Sequence, residues 1–177
     1  GGSGGCLKLV ATRNYVTDGS CSGCSMSGAV DNLVLGTCAG KEITSGDYNI
    51  YLGTNSGRDS TTGYDNVAIG CGAGANITAA YDNVFIGTAA GVNVSGSGGG
   101  GFFNVAIGYG AGCGMTEGYG NVILGRCAGM GTGIGNYNFI GGYSAGKLAT
   151  GASNVFIGQN AGDSITSGSS NVVIGYN

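Results

Sequence analysis

Short apolar stretches recur along the chain at a nearly fixed interval, each after an asparagine and before a glycine. The motif is Asn, two apolar residues, Ile or Leu, Gly, any two residues, Ala or Ser, and Gly. It begins at Asn32, Asn49, Asn66, Asn83, Asn104, Asn121, Asn138, Asn154 and Asn171. Successive spacings are 17, 17, 17, 21, 17, 17, 16 and 17 residues. A fixed period of this length indicates a stack of supersecondary units.

Each unit predicts one coil of a solenoid. The β-branched and aliphatic run 67–69 after Asn66 predicts a short strand that ends at a glycine. A turn of small residues follows at Ala73-Gly74, and a second extended piece, here Ile77-Thr78, precedes the polar corner before the next Asn. We therefore predict an all-β fold, a parallel β-solenoid (β-roll) of about nine 17-residue coils, roughly 40 Å long at about 4.8 Å per coil.

The repeat divides the chain into two parts. Residues 32–177 carry the tandem-repeat solenoid, in which the Gly/Ser stretch 95–101 is predicted to be an inserted loop. Residues 1–31 do not match the motif and are predicted to be an N-terminal cap or docking segment. Because the chain starts at Gly1 without Met, we interpret it as a segment of a longer or processed polypeptide.

The recurring asparagines are expected to form a structural ladder, with each amide bonding the backbone or the next Asn. Side chains alternate across a strand, so the first and third residues after each Asn share a face, which we assign to the coil interior. These residues include Leu33/Leu35, Ile50/Leu52, Val67/Ile69, Val84/Ile86, Val105/Ile107, Val122/Leu124, Val155/Ile157 and Val172/Ile174. The middle residue is then assigned to the outside.

The middle residues would form a continuous apolar stripe: Val34, Tyr51, Ala68, Phe85, Ala106, Ile123, Ile140, Phe156 and Val173. Soluble monomers rarely expose such a patch, and strands that are apolar on both faces are normally buried on both. The stripe therefore predicts an inter-chain contact in a homo-oligomer whose chains pack around a shared axis. A loop or flanking segment of the same chain would be the alternative cover.

Composition narrows the function classes. The chain has 42 Gly, no Pro, no Trp and no His, and 8% of its residues are charged. This is neither a disordered composition nor collagen, which needs Gly at every third position. A net charge of −3 from few charges argues against a nucleic-acid partner. No apolar run approaches the length of a membrane span, so no membrane insertion is expected.

Seven cysteines need an explanation: Cys6, Cys21, Cys24, Cys38, Cys71, Cys113 and Cys127. A zinc site needs four ligands and the chain has no His, so we expect a disulfide cap among Cys6, Cys21 and Cys24 rather than a metal site. Cys38 and Cys127 share a slot five repeats apart, which is beyond disulfide reach. The cysteines of the repeats are expected to be small buried residues or cross-links between chains.

Other motifs predict structural roles. Asp31, Asp65 and Asp82 recur just before the ladder Asn, which indicates a turn position rather than a calcium or catalytic site. The Gly-rich turns lack the Gly-Lys-Ser/Thr of a phosphate loop. Without His or a carboxylate pair, we predict no catalysis, no cofactor and no metal.

Two rows of polar residues face the surface in the predicted coil. Asn76 and Asn93 begin N-glycosylation sequons in equivalent positions. A single row of threonines would suggest ice binding only if a second row lay beside it, so we interpret the row as hydrogen bonding into the turn. Its members are Thr44, Thr61, Thr78, Thr116, Thr150 and Thr166.

The motif Asn-Val-Ala-Ile-Gly-x-x-Ala-Gly, at 66–74 and 104–112, resembles two repeat classes. One is the head of trimeric autotransporter adhesins, and the other is the Asn-x-Ala-Ile-Gly repeat of phage and viral tail-fibre proteins. The resemblance covers about residues 32–177 and implies a left-handed parallel β-roll with three chains side by side. The 17-residue unit is longer than that of the adhesin heads, and the Tyr often found before Asn is more similar to the viral fibres.

The expected function is a structural or adhesive, non-catalytic segment of an extracellular fibre on a virion or cell surface. The expected partners are two further copies in a homotrimer and a cell-surface or glycan receptor. One alternative is the subunit of a self-assembling extracellular filament, in which residues 1–31 dock onto a neighbour. Another alternative is an ice- or carbohydrate-binding solenoid.

Overall fold

The computed structural model describes residues 7–10, 14–17 and 20–176, and within them the chain forms a single sheet. Its strands are β1 (Leu7–Val10), β2 (Asn14–Thr17), β3 (Leu33–Leu35), β4 (Ile50–Leu52), β5 (Val67–Ile69), β6 (Val84–Ile86), β7 (Val105–Ile107), β8 (Val122–Leu124), β9 (Phe139–Gly141), β10 (Val155–Ile157) and β11 (Val172–Ile174). They neighbour one another in chain order. β1 pairs antiparallel with β2, and each later pair is parallel.

The register places equivalent residues of the repeat directly above one another. Ala68 of β5, for example, pairs with Phe85 of β6, and Val67 donates its backbone N–H to the Asn83 carbonyl at 2.8 Å. Each parallel strand therefore belongs to one coil, and the chain rises by one strand per repeat. The predicted parallel β-solenoid of about nine turns is confirmed.

Each coil contains one strand of regular structure, not the two that the sequence pattern predicts. The Ile-Thr pieces are turns, because Ile77 donates its N–H to the Gly74 carbonyl three residues earlier at 3.3 Å. Two positions in the coil also hold left-handed backbone, as at Asp82 (φ 54°) and Ala89 (φ 56°). These reversals limit the strand to three residues.

The stack begins one strand earlier than the sequence motif. Asn14 lies 18 residues before Asn32, and its Oδ1 accepts the Asn32 backbone N–H at 2.8 Å. The motif misses this strand because the sequence after Asn14 lacks the glycine that ends the others. β2 and the turn 20–31 thus form a coil of the solenoid rather than a separate segment, and β1 lies along its edge.

The glycine that ends each strand is required by backbone geometry. Gly70 has φ +132°, and a Cβ atom there would lie 2.7 Å from the carbonyl carbon of Gly87 in the next coil. Any larger residue would strain the backbone and push the coils apart. This is why Gly follows the strand in each copy of the motif.

The hydrophobic core is a narrow column inside the coils. From β4 to β7, large and small side chains alternate along it, because Tyr51, Ala68, Phe85 and Ala106 follow one another in successive strands. Such alternation lets each ring fill space that its small neighbours leave.

The coil of Tyr51 shows how the column adjusts to a large residue. This coil has Ser56 where other coils have Ala, and Ser60 where they have an apolar residue such as Ile43. The Tyr51 hydroxyl donates to Ser60 Oγ at 2.9 Å, and Ser56 Oγ donates to the Ala68 carbonyl at 2.7 Å. Full burial raises the pKa of Tyr51 well above its ordinary value, so the phenol stays neutral inside the core.

Candidate functional site

The asparagine ladder runs through the interior of the stack. Nδ2 and the backbone N–H of each Asn donate to Oδ1 of the preceding Asn at 2.8–3.2 Å, from Asn32 to Asn171. Nδ2 also donates to a carbonyl near the end of the same coil, as from Asn104 to Gly118 at 2.9 Å. The predicted ladder is confirmed, and its role is structural because every amide in it is already bonded.

The predicted outward stripe lies inside the coil. Its middle-strand residues are fully buried in the core: Val34, Tyr51, Ala68, Phe85, Ala106, Ile123, Ile140 and Phe156, while Val173 is partly buried against it. The assignment of this row to an inter-chain contact is therefore wrong. The first and third residues of each strand, which the sequence assigned to the interior, point outward instead.

The asparagine itself explains the inversion. Asn83 is buried, and alternation along the strand places the side chain two residues later, Phe85, on the same face. Val84 and Ile86 must then point to the opposite face. A buried Asn ladder therefore fixes the phase of the strand, a constraint that the apolar pattern alone does not contain.

The outer face of the sheet is consequently lined by two apolar rows, which we name the outer apolar face. The row of first residues is Leu33, Ile50, Val67, Val84, Val105, Val122, Phe139, Val155 and Val172, and the row of third residues is Leu35, Leu52, Ile69, Ile86, Ile107, Leu124, Gly141, Ile157 and Ile174. These side chains are partly exposed or exposed, and Ile50, Ile107 and Ile157 keep 36–39% of their surface in solvent. None of them is charged or polar.

The one gap in the outer apolar face is filled by a neighbour in the same strand. β9 has Gly141 where the other strands have Ile or Leu, and it has Phe139 at the first position. A Cβ atom at Gly141 would lie 3.4 Å from Cε1 of Phe139, so the ring leans towards the empty position. The face therefore stays apolar across this coil.

The threonine row is bonded into the turns. Thr61 Oγ1 donates to the Thr78 carbonyl at 2.9 Å, and Thr78 Oγ1 donates to the Ser95 carbonyl at 2.7 Å. Thr44 and Thr150 make the equivalent bond to the next coil. The hydroxyls of these four threonines satisfy carbonyl groups of the stack, as the sequence predicted.

The two sequon asparagines form a second, shorter ladder on the outer edge of the coil. Asn76 Nδ2 donates to Asn93 Oδ1 at 3.1 Å, and Asn93 Nδ2 donates to the Cys113 carbonyl at 2.7 Å. Asn93 is exposed, whereas Asn76 is partly buried. A glycan at either nitrogen would replace one of its two N–H groups, so the remaining N–H would have to make the ladder bond.

Cysteines are found at the surface. Cys21, Cys24 and Cys71 are exposed free thiols, and Cys38, Cys113 and Cys127 are partly exposed free thiols. The expectation that the repeat cysteines are small buried residues is therefore wrong. Cys6 lies outside the described residues, so the predicted cap among Cys6, Cys21 and Cys24 stays a prediction.

The aspartates before the ladder occupy a turn position with left-handed backbone. Asp31, Asp65 and Asp82 have φ of 53–56°, a conformation that Asp tolerates better than most residues. Tyr48 and Phe103 adopt the same φ at the equivalent position, which shows that the turn and not the carboxylate is what recurs. In the described part of the chain, no group of three or more Cys, Asp or Glu is arranged to hold a metal ion.

A column of stacked rings lies at one corner and was not predicted. The rings of Tyr64 and Tyr81 stack at 4.8 Å, and Phe102 continues the stack with Tyr81 and Tyr119 at 5.0 Å on each side. Tyr137 closes it edge-on. The sequence did contain a signal for this column, since a Tyr or Phe recurs two residues before the ladder Asn in four successive repeats. Equivalent residues of successive coils lie above one another, so their rings can stack.

Arg126 lies in a second aromatic row, in the turn after the strand. Its guanidinium carbon is 5.7 Å from the ring centre of Tyr109 and 5.5 Å from that of Tyr143. Cation–π contacts of this kind contribute about 0.5–1 kcal/mol each at exposed sites. The arrangement stabilises three successive turns.

Two surface depressions each contain one acidic side chain, and the second borders the outer apolar face at Ile174. One, of about 400 Å³, lies between the inserted loop at 98–100 and the turn with Glu117 and Tyr119, and the other, of about 220 Å³, lies beside β11 and contains Asp163. Each holds a single carboxylate, so neither offers the pair of groups that acid–base catalysis needs.

No described residue belongs to a helix that is long and apolar enough to cross a membrane. Comparisons with protein-family models, with curated proteins and with solved structures gave no significant match. The resemblance to fibre repeats therefore rests on the sequence motif alone.

Proposed function

We propose that the chain is a structural, non-catalytic segment of an extracellular or virion-surface fibre, in which copies of the solenoid pack side by side through the outer apolar face. The observation that carries the proposal is the pair of apolar rows on the solvent side of the sheet, in which Phe139 covers the one gap at Gly141. A fibre shaft needs stiffness and self-assembly rather than a reactive site.

The size of the face supports a partner. Three residues at about 3.3 Å and nine strands at about 4.8 Å give a flat surface of about 400 Å². An exposed apolar patch of this extent is typical of an interaction site. At about 25 cal/mol per Å², its burial would contribute about 10 kcal/mol per chain before the cost of association.

Another copy of the same chain is the partner that fits best. The rows repeat with the spacing of the coils along the whole length, so an identical rod presents side chains at the same interval. The face carries no charge that would select a partner of opposite charge. Full burial of the face removes about 800 Å² in a pair of chains and about 1,200 Å² in a trimer, where it is shared among three contacts, so the preference for three chains rests on the resemblance to trimeric repeats.

The trimer and the fibre setting also draw on the resemblance to adhesin-head and tail-fibre repeats. The resemblance suggests a cell-surface or glycan receptor as well, which binding of the assembled protein to a glycan array and to cells would test. The ice-binding alternative has weaker support, because four of the six threonines in the row, Thr44, Thr61, Thr78 and Thr150, donate their hydroxyls to carbonyls of the next coil.

The test is a pair of charge variants with the same number of substitutions. Ile107→Glu/Ile157→Glu places two carboxylates on the outer apolar face, while Thr88→Glu/Gln159→Glu places two on exposed turns just beyond it. Light scattering coupled to gel filtration should show that the first variant is monomeric and that the second keeps the assembled mass of the unmodified chain. Circular dichroism should show both folded.

Two outcomes would overturn the proposal. One is an unmodified chain that stays monomeric at all concentrations, and the other is equal assembly of both variants. Open-ended polymers that vanish only in Ile107→Glu/Ile157→Glu would support the filament alternative over the closed trimer.

A further inference from the structure

Three cysteines, Cys21, Cys24 and Cys38, lie in the first two coils of the solenoid. Cys21 and Cys38 occupy the same position in successive coils. Cys38 donates its N–H to the carbonyl of Ser20, the residue before Cys21, at 3.0 Å. One coil later, Asn55 donates its N–H in the same way to the carbonyl of Thr37, the residue before Cys38. Both have the left-handed backbone of this position, with φ of 64° and 55°. The two residues are therefore vertical neighbours in the stack.

This placement satisfies the distance requirement of a disulfide. Equivalent residues of successive coils are about 4.8 Å apart, and disulfides join Cα atoms about 4.4–6.8 Å apart. The Cys38 thiol lies 3.6 Å from the carbonyl of Ser20, the residue before Cys21, and therefore on the side of the first coil. Neither thiol is buried away from an oxidant.

We propose that Cys21 and Cys38 form a disulfide that joins the first coil of the solenoid to the second. With glutathione disulfide as the oxidant, one thiolate attacks it and forms a mixed disulfide with release of one glutathione. The second thiolate then displaces the other glutathione, so that one S–S bond forms as another is reduced to two thiols.

The cross-link would act where the solenoid is weakest. An end coil of a repeat protein has fewer neighbouring repeats to stabilise it. The amides of Gly23 and Ser25 hold the first coil to the second through the carbonyls of Ala39 and Lys41. A disulfide between Cys21 and Cys38 closes a loop of about 17 residues and so restricts the chain when the first coil separates from the second. The population of this separated state is expected to fall about a hundredfold.

Cys24 is the competing partner within the first coil, because it lies three residues from Cys21 in the same turn. A Cys21–Cys24 bond would lie inside one turn and would not join two coils. The two pairings therefore differ in what they stabilise, and the experiment must separate them.

The experiment treats the full chain with glutathione disulfide at pH 8.5. Burial and the nearby Cys21 thiol raise the pKa of Cys38, so alkaline conditions supply the thiolate. Peptide mapping by mass spectrometry without reduction should show one intramolecular link between the peptides of Cys21 and Cys38. Hydrogen exchange at Gly23 and Ser25 should slow about a hundredfold.

Three serine variants complete the test. Cys38→Ser should abolish the link and its effect on exchange, while Cys24→Ser should keep both. Cys127→Ser is the matched control, because it removes a thiol from the same position of a distant coil. A link through Cys24 or Cys6, a stable glutathione adduct on Cys21 or Cys38, or a link without slower exchange would overturn the proposal.

Discussion

At the scale of single residues, the ladder asparagines make the same bonds in coil after coil. Asn104 donates Nδ2 to Asn83 Oδ1 at 3.1 Å and to the Gly118 carbonyl at 2.9 Å, and its own Oδ1 accepts both nitrogens of Asn121. These groups are buried, so water cannot replace a missing partner. Each amide therefore supports the coil before it and the coil after it.

Replacing Asn104 by Ala should lower the free energy of unfolding by about 3 kcal/mol or more, because each buried group left without a partner costs about 1–3 kcal/mol. Urea unfolding followed by circular dichroism measures the change. Asn93→Ala is the control, since Asn93 bonds similar groups at the exposed edge, and its cost should stay below about 1 kcal/mol. Equal losses in both variants would contradict the role given to the buried ladder.

The ladder was predictable from sequence, because a polar residue that recurs at a fixed period beside apolar strands has few other ways to satisfy its amide. The coil at Asn14 was not predictable in the same way. Its strand is followed by Asp18 rather than Gly, so the repeat is visible only when the hydrogen bonds to Asn32 are known.

At the scale of the strand, the apolar pattern determines the fold but not the orientation. A run such as Val84-Phe85-Ile86 is apolar at every position, so a shift by one residue leaves the pattern unchanged. The phase comes from Asn83, whose buried amide shares a face with Phe85. The stacked rings and the Arg126 contacts were missed for a related reason, since they depend on which residues become neighbours between coils.

The orientation predicts opposite results for two adjacent substitutions. Phe85→Asp would bury an unpaired carboxylate in the core and should prevent stable folding, since such burial costs several kcal/mol. Ile86→Asp, on the outer apolar face, should leave a folded solenoid with weaker assembly. Circular dichroism and gel filtration of the two variants measure both effects. A folded but dissociated Phe85→Asp variant would instead support the orientation predicted from the apolar pattern.

At the scale of the whole molecule, the chain is one sheet whose inner face is a sealed column and whose outer face is apolar. Each coil contacts the coils directly before and after it, so stability is expected to add up along the stack from neighbour to neighbour. The same regularity repeats two apolar side chains per coil on the outer face. A surface that recurs in this way suits an extended partner of the same period better than a small ligand.

Sedimentation equilibrium of the unmodified chain at micromolar concentration tests the proposed assembly most directly. Side-by-side packing through the outer apolar face predicts a discrete species with three times the chain mass of 17.1 kDa. A single species of 17.1 kDa over the whole concentration range would contradict it.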